Sequence, residues 1–520
     1  MEGTNKVIIN VNSELKPINP MIYGNFIEHI GECIHNGIWT YDPVNVPLIG
    51  NEYPRIKKVR KDLLNALKKV KPTVLRAFGG CYSDVYHWKD AIGPEHQRKS
   101  VKNIHWGIKE FENMDGVGPI IENQFGTDEF LSLCEIIGAK PYLNVNYGSG
   151  TPQEAADWVE YCNGSVDTEY GALRAQYGRN KPYDVKIWGI ANEIYGFWEV
   201  GYEKIPEDYA ENYLKFAKKM REKDETIKLV ACGYQNPSWN QAVLKNIGNE
   251  WVDYMSIHLY LPYVAGGRDK ENHPDNEKCY HALMASPQMV EEQINAIWND
   301  IITTLGKETD VRIAFDEWGL WYLNSDVIKT NFNLQDGIWA TLILMLFQRK
   351  SAICPLANWA QLVNCIGIIQ TDPDGLVITP VALAFQLFAD HVHDNLVSDV
   401  FVHSSTFSSN KFGSIIKYKN VPYIECNCTI NDDGNNLSIM LVNKHINENL
   451  KVNLEINHFL PNEKGKIIKL ASDSPFDYNT TENRNKIKIT EKIINDIKPN
   501  MAITLEPHSV TILKLTKNNS

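Results

Sequence analysis

The sequence has no apolar run long enough to cross a bilayer. Its most apolar stretch, Ile338 to Phe347, falls well short of the roughly 18 residues a spanning helix needs and reads as a buried helix. A basic excess is also missing. The 52 Lys and Arg residues face 64 Asp and Glu, for a net charge of -12, which repels nucleic acid and anionic membranes. No nucleic-acid or membrane partner is expected, and a neutral small molecule or polysaccharide fits better. The ten cysteines (Cys33, Cys81, Cys134, Cys162, Cys232, Cys279, Cys354, Cys365, Cys426 and Cys428) form no CxxC pair. Neither a zinc site nor a disulfide framework is indicated, and most should be reduced thiols. From Met1 to Pro20 there is no apolar h-region of roughly 7–15 residues, so no secretory signal is visible and a cytoplasmic location is expected. Asn163-Gly164-Ser165 and Asn479-Thr480-Thr481 are then chance matches to a glycosylation motif. Internal repeats and low-complexity segments are absent beyond a strand–helix alternation.

What is present is enough length for two domains: 520 residues, 43% hydrophobic, fill one large core and a smaller one. From about residue 20 to 390, short apolar runs alternate with amphipathic helical patterns, as parallel βα units do. Eight strands are predicted: Met21–Phe26, Thr73–Phe78, Lys140–Asn146, Lys186–Ala191, Lys228–Gly233, Tyr254–Tyr260, Arg312–Glu317 and Ala352–Trp359. Between them lie helices such as Lys57–Val70, with Leu63, Leu64, Leu67 and Val70 on one face, and Asp128–Ile137, capped by Thr127 and stopped at Gly138. Eight units favour a closed (β/α)8 TIM barrel, placed at residues 18–392. After about residue 395 short strand-like runs alternate with Asn/Asp/Gly turns, the texture of an all-β, jelly-roll-like sandwich at 393–520, with one helix expected at Glu491–Ile497. The strand Lys6–Val11, within an N-terminal segment 5–17, is expected to join that sandwich.

Two carboxylates end predicted barrel strands, where active-site residues of this architecture gather. Glu193 follows Trp188-Gly189-Ile190-Ala191-Asn192 on strand four, and Glu317 closes Ile313-Ala314-Phe315-Asp316 on strand seven. Each alone reads as an ordinary solvated or ion-paired strand end; the two motifs together, about a hundred residues apart, are more specific. Glycoside hydrolysis with retention needs one carboxyl to protonate the leaving oxygen and another, about 5–5.5 Å away, to attack the anomeric carbon. Repulsion from the ionised nucleophile is expected to raise the acid's pKa until the glycosyl-enzyme forms.

Further motifs carry a resemblance. They are Ile22-Tyr23-Gly24-Asn25-Phe26-Ile27-Glu28-His29, Leu75-Arg76-Ala77-Phe78-Gly79-Gly80-Cys81, Tyr86-His87-Trp88-Lys89-Asp90-Ala91-Ile92-Gly93-Pro94, His258-Leu259-Tyr260 and Asn358-Trp359-Ala360-Gln361-Leu362-Val363-Asn364. With the two glutamate motifs, these make nearly the whole chain resemble glycoside hydrolase family 51, the α-L-arabinofuranosidases. The resemblance implies Glu193 as acid/base, Glu317 as nucleophile and Asn192 on the sugar 2-hydroxyl, where a hydrogen bond strengthens in the transition state. It also implies a substrate pocket including Glu28, Arg76, Cys81, His258, Tyr260 and Gln361. Within it, Arg76 and Tyr260 orient Glu317, while Glu28 and Gln361 meet ring hydroxyls. The implied substrate is a terminal arabinofuranosyl group on arabinan, arabinoxylan or a derived oligosaccharide. No cofactor or metal is implied, and family analogy adds a homo-oligomer, often a hexamer. The chain departs from the family's Arg-x-Pro-Gly-Gly-Asn at Phe78 and Cys81 and from its Gly-Asn-Glu at Ala191, which bears on fine substrate preference.

Other signals are weaker. His29, Glu32 and His35 have metal-like spacing, but Gly31 argues for a loop, and Gly148-Ser149-Gly150 is not a nucleophile elbow. Trp198, Trp239 and Trp321 could stack on sugars or simply be packed, with Trp321 near the cleft by its distance from Glu317. Competing readings are another retaining glycosidase, such as an endo-β-glucanase or xylosidase, a non-catalytic carbohydrate-binding protein, and a metal-dependent hydrolase.

Overall fold

The computed structural model describes residues 5–12, 14–106, 120–264, 276–322 and 330–518. Eight parallel strands close into a barrel in sequence order: Gly24–Phe26, Val74–Ala77, Lys140–Val145, Ile187–Ile190, Lys228–Ala231, Tyr254–Pro262, Arg312–Trp321 and Leu356–Trp359. Helices between the strands cover the outside, and the interface is a continuous apolar layer in which Leu63, Leu67, Trp158, Val243 and Leu344 are buried. The lower end of the barrel interior has its own plug, formed by Met21, Val74, Tyr142, Ile187, Val230, Ala314 and Leu356. That plug leaves the opposite mouth for polar groups.

Several boundaries differ from the sequence expectation. Strand one begins at Gly24 because Pro20–Tyr23 form a 3-10 turn, with Asn19 Oδ1 accepting from Met21 N at 3.0 Å. The helix expected from Lys57 starts at Lys61; Val59 and Arg60 instead bridge to Trp39 and Leu48. The helix ending at Ile137 starts at Thr127, with Gly126 rather than Thr127 as its cap, because the Glu129 carboxylate reaches back to the Gly126 N–H at 2.9 Å. Strand seven does not stop at Glu317 but runs on to Trp321. The final strand starts at Leu356, after a turn and Pro355.

The β-sandwich pairs a four-stranded sheet with a seven-stranded sheet. Asn5–Asn10 lies inside the smaller sheet, antiparallel to Val400–His403 and parallel to Leu450–Asn457. Its buried Val7 and Ile9 face Val452, Leu454, Leu441 and Leu513 in an aliphatic core. The segment expected as a helix at Glu491–Ile497 is instead the edge strand Ile489–Ile494, paired antiparallel with Gly465–Leu470. Its mostly exposed Lys and Glu residues carry no strand alternation to read, and only the partner strand fixes the conformation.

Candidate active site

Strand four ends at Ile190, whose carbonyl accepts from the Tyr209 hydroxyl at 2.8 Å. The chain then turns through Ala191 at φ +76° and Glu193 at φ +42°, so Glu193 sits on the turn beyond the strand rather than within it. A left-handed φ is free of steric cost for glycine and strained for alanine, which gives the family's usual glycine at position 191 a backbone reason. On strand seven the pairing with strand six slips between Ser256 and His258. This bulge lets consecutive Asp316 and Glu317 both face the barrel interior, where strict alternation would send one outward.

The Glu317 carboxylate is held at both oxygens. Arg76 Nη1 donates to Oε1 at 2.6 Å, and the Tyr260 hydroxyl donates to Oε2 at 2.7 Å. The other arm of the guanidinium, Nη2, donates to Asn192 Oδ1 at 2.8 Å. That fixes the amide so that Asn192 Nδ2 points toward Glu199 Oε1, 3.2 Å away. Buried Asp316 completes the arrangement. It accepts from the Tyr142 hydroxyl at 2.7 Å and lies 3.8 Å from Arg76 Nε. Burial pushes its pKa up, but Arg76, His258 and Ser256 outweigh that and hold the carboxyl well below the usual range.

His258 stands between the two glutamates. Its Nδ1 is 2.8 Å from Glu193 Oε1 and 3.6 Å from Glu317 Oε2, and its Nε2 is 3.3 Å from Asp316 Oδ1. Burial disfavours the imidazolium, but the charge of Glu317 and the bonds to Asp316 and Glu193 win, raising its pKa to about 10. Glu193 responds in the opposite sense. Its burial pushes upward, yet the His258 hydrogen bond and charge, with further bonds from Trp198 and Tyr195, take the net pKa below the ordinary value. This corrects the expectation that Glu317 would keep Glu193 protonated, because the interposed imidazole overrides the carboxylate repulsion. The two shifts run in opposite senses and favour the shared proton of the Glu193–His258 hydrogen bond on the ring.

The remaining pocket residues converge on the same space. Glu28 Oε1 accepts from Tyr82 N at 2.8 Å and Trp106 Nε1 at 3.0 Å, and its Oε2 accepts from Gln361 Nε2 at 3.2 Å. Burial raises its pKa to about 7. Gln361 Oε1 is buried and has no hydrogen-bond partner among the described residues, leaving an acceptor available for a hydroxyl. Gly80 makes this convergence possible, since a Cβ there would lie 3.2 Å from both Glu28 Oε2 and Glu317 Oε1. Cys81 follows it, with Sγ 3.9 Å from Asn192 Nδ2. Phe78, the other departure in this motif, points away and stacks on Tyr86 at 4.5 Å.

Asp316, Ser256, Tyr142, Glu199 and Trp106 also belong to the site, and no motif assigns them to it. Asp316 adjoins Glu317, but nothing in sequence marks the bulge that turns it inward. Trp198 is 47% exposed and donates from Nε1 to Glu193 Oε2 at 3.2 Å, beside Phe197 at 82%. Trp321 packs edge-on against Tyr260 at 5.3 Å, whereas Trp239 is buried and bonds the Cys232 carbonyl. His29 is buried while His35 stacks on Tyr41, and with Glu32 they form no converging ligand group among the described residues. The Ser149 and Gly150 N–H groups both donate to Asn146 Oδ1 at 2.9 Å. No backbone donor pair is left there for an oxyanion.

A barrel whose mouth gathers a half-buried glutamate beyond strand four and a buried one on strand seven, the latter braced by an arginine and a tyrosine, defines the class as glycoside hydrolase. Comparisons with known proteins narrow it. Residues 66–277 match the family model "Alpha-L-arabinofuranosidase 1 domain", and residues 316–509 match "Alpha-L-arabinofuranosidase C-terminal domain". Alpha-L-arabinofuranosidase C of Emericella nidulans is 31% identical over 493 residues, covering 90% of each chain. An intracellular exo-alpha-L-arabinofuranosidase of Bacteroides ovatus is 30% identical over 506 residues, covering 95% of this chain and 92% of that one. Among solved structures, the arabinose complex of the Thermotoga maritima α-L-arabinofuranosidase superposes with a TM-score of 0.87 at 34% identity, covering 99% of this chain and all of that one. The GH51 enzyme of Thermotoga petrophila gives 0.86 at 35%, covering 98% of this chain and 100% of that one. The chain belongs to the α-L-arabinofuranosidases of glycoside hydrolase family 51.

Proposed function

We propose that the protein is a retaining, exo-acting α-L-arabinofuranosidase that releases terminal arabinofuranosyl groups from arabinan, arabinoxylan or derived oligosaccharides, with Glu317 as nucleophile and Glu193 as acid/base. The observation that carries the retaining mechanism is proximity. Carboxylate oxygens of Glu193 and Glu317 and a ring nitrogen of His258 all lie within 4.8 Å of one another. That spacing suits direct attack, where the carboxyls stand about 5–5.5 Å apart, and leaves no room for the water of an inverting pair at about 6.5–9.5 Å.

Glu317, oriented by Arg76 and Tyr260, attacks the anomeric carbon while the leaving oxygen takes its proton from Glu193. The proton of the Glu193–His258 pair moves along their hydrogen bond onto Glu193 as the bond to the leaving group breaks, so His258 serves as the store from which the acid is loaded. Forming the ester removes the Glu317 charge that helped hold the imidazolium, and Glu193 then takes a proton from water. Asn192, fixed by Arg76 and Glu199, gives its second N–H to the Cys81 sulfur at 3.9 Å, a weak acceptor that the sugar 2-hydroxyl can replace. Glu28 and Gln361 are buried and bonded to each other beside Glu317, an enclosed arrangement that supports binding of a single terminal sugar. Trp198 and Phe197 give the leaving group an exposed aromatic surface beside Glu193. Intracellular residence and homo-oligomeric assembly complete the reading, the first supported by the printed name of the Bacteroides ovatus relative. Among the described residues no helix is long and apolar enough to cross a membrane.

The test is hydrolysis of a panel of aryl furanosides and pyranosides. The α-L-arabinofuranoside should be the best substrate by at least about tenfold in kcat/KM, a preference worth roughly 1.4 kcal/mol. A xylopyranoside or glucopyranoside cleaved faster would replace this reading with another retaining glycosidase, and a chain that cleaves none would be the non-catalytic alternative.

A further inference from the structure

Cys81, His105 and Glu199 come from three separate loops of the mouth, and the mechanism above uses none of their reactive atoms in bond cleavage. The Cys81 Sγ, a ring nitrogen of His105 and a carboxylate oxygen of Glu199 all lie within 4.8 Å of one another. Glu199 is 4% exposed, and although its Oε1 accepts from Asn192, its Oε2 has no hydrogen-bond partner among the described residues. Burial and the nearby acids Asp84 and Glu193 raise the Glu199 pKa well above its ordinary value, so this carboxyl favours either a proton or a cation beside it. Cys81 is half-buried and His105 is 9% exposed. Burial first, then the carboxyls of Glu199, Glu28 and Glu193, raise the Cys81 thiol pKa well above its ordinary value, so a thiolate there needs a cation beside it, and the nearby guanidinium of Arg76 is committed to Glu317 and Asn192.

A thiolate, an imidazole and a carboxylate are the three donor types that zinc takes. Its bonds of about 2.0–2.3 Å place tetrahedral ligands roughly 3.3–3.7 Å apart, so rotations that bring the three side chains about an ångström closer would complete a three-ligand site with a fourth position open to water. Soft thiolate together with imidazole selects zinc over magnesium or calcium. We propose that Cys81, His105 and Glu199 form a binding site for one zinc ion, whose occupancy blocks the sugar pocket and reversibly inhibits the enzyme. As zinc binds, the Cys81 thiol proton and any proton held on the Glu199 carboxyl leave to buffer, and the metal keeps its oxidation state. Cys81 Sγ lies 3.9 Å from Asn192 Nδ2, so a metal on this sulfur occupies space beside the amide that the sugar 2-hydroxyl needs. The site is inhibitory, so chelation removes inhibition and takes nothing from catalysis.

The test uses zinc alone on the full chain, read in two independent ways. Equilibrium dialysis should give one zinc per chain, competed by L-arabinose, with inhibition of aryl-furanoside hydrolysis fully reversed by EDTA. Cobalt(II) as a spectroscopic replacement should give a thiolate-to-metal charge-transfer band, a readout that stands even if the chain hydrolyses none of the panel glycosides. Cys81→Ser should abolish the band, and His105→Gln and Glu199→Gln should each weaken zinc binding at least about tenfold, as loss of a ligand does. Unchanged thermal melting would show that each variant folds. No binding, or a cobalt complex without the thiolate band, would overturn the proposal. So would equal zinc affinity in Cys81→Ser, which would move the metal to Glu193, His258 and Glu317.

Discussion

The two ends of one barrel are built from the same eight strands and hold opposite interiors. The floor is a plug of Met21, Val74, Ile187, Val230 and Leu356, apolar apart from Tyr142. The mouth buries Glu28, Arg76, Asn192, His258, Asp316, Glu317 and Gln361. Tyr142 spans both, packing in the plug while its hydroxyl bonds Asp316. The floor is stabilised by removing apolar surface from water. The mouth keeps orphaned polar atoms, including Arg76 Nε, Gln361 Oε1 and Glu199 Oε2, and carboxyls with raised pKa such as Glu28 and Asp84, both near 7. Reactivity and stability are thus separated along the barrel axis, and substitutions at the two ends should separate in the same way.

The largest effect expected at the mouth is on turnover. Glu317→Ala should leave less than about one per cent of activity on an activated aryl furanoside, because positioning and binding alone sustain only a small residue of catalysis. Its melting midpoint should stay within a few degrees of the parent, since Arg76 retains Asn192 and Asp316 as partners. A folded variant with activity above that level would end the nucleophile assignment.

At the floor the sign reverses. Leu356→Ala removes a fully buried side chain from the plug and should cost about 2–5 kcal/mol of stability through lost burial and a residual cavity. Its kcat at a temperature where it remains folded should be within about twofold of the parent, a change of roughly 0.4 kcal/mol in barrier. Denaturant unfolding beside initial-rate kinetics checks both halves. A tenfold fall in kcat with little loss of stability would mean that the two ends are not separable.

A smaller effect sharpens the mouth itself. His258 has its pKa raised to about 10, so the proton it shares with Glu193 should persist to alkaline pH. The alkaline limb of kcat/KM should lie there, because activity is lost only when the pair gives up that proton. In His258→Gln the proton must sit on the carboxyl alone, and the limb should fall by at least about one pH unit. The linked stability follows the same sign. A raised folded-state pKa means that the His258 contribution is complete below its unfolded value near 6.5 and is lost as pH rises toward 10. An unmoved limb in the variant would remove His258 from the proton's path.

Much of this architecture was readable before the structure. Most of the eight strands announce themselves as apolar runs of Val, Ile, Leu and aromatics between amphipathic helices, because strands covered on both faces cannot hide their composition; Gly24–Phe26 is the exception, and only the run before it marks the place. Glu193, Glu317, Arg76, Tyr260 and Gln361 were legible through motifs at strand ends. Less legible was anything that depends on register or a long-range partner. The Ser256–His258 slip turns Asp316 inward, and no local residue signals it. The edge strand Ile489–Ile494 exists only through its pairing with Gly465–Leu470. Motif matching puts His258 in the pocket but not between two carboxylates, and a two-body argument gives the opposite direction for Glu193 from the one a three-body site produces.

The most direct measurement is made on Glu193→Ala with an aryl α-L-arabinofuranoside whose leaving group departs without a proton, with and without azide. The account predicts that deglycosylation limits turnover, that KM falls along with kcat, and that azide, which needs no deprotonation, restores the rate. The product should be an arabinofuranosyl azide of the same anomeric configuration as the substrate. An azide product of inverted configuration would mean that Glu193 is the nucleophile and the two assignments must be exchanged. Absence of rescue, with equal losses for good and poor leaving groups, would remove Glu193 from the reaction.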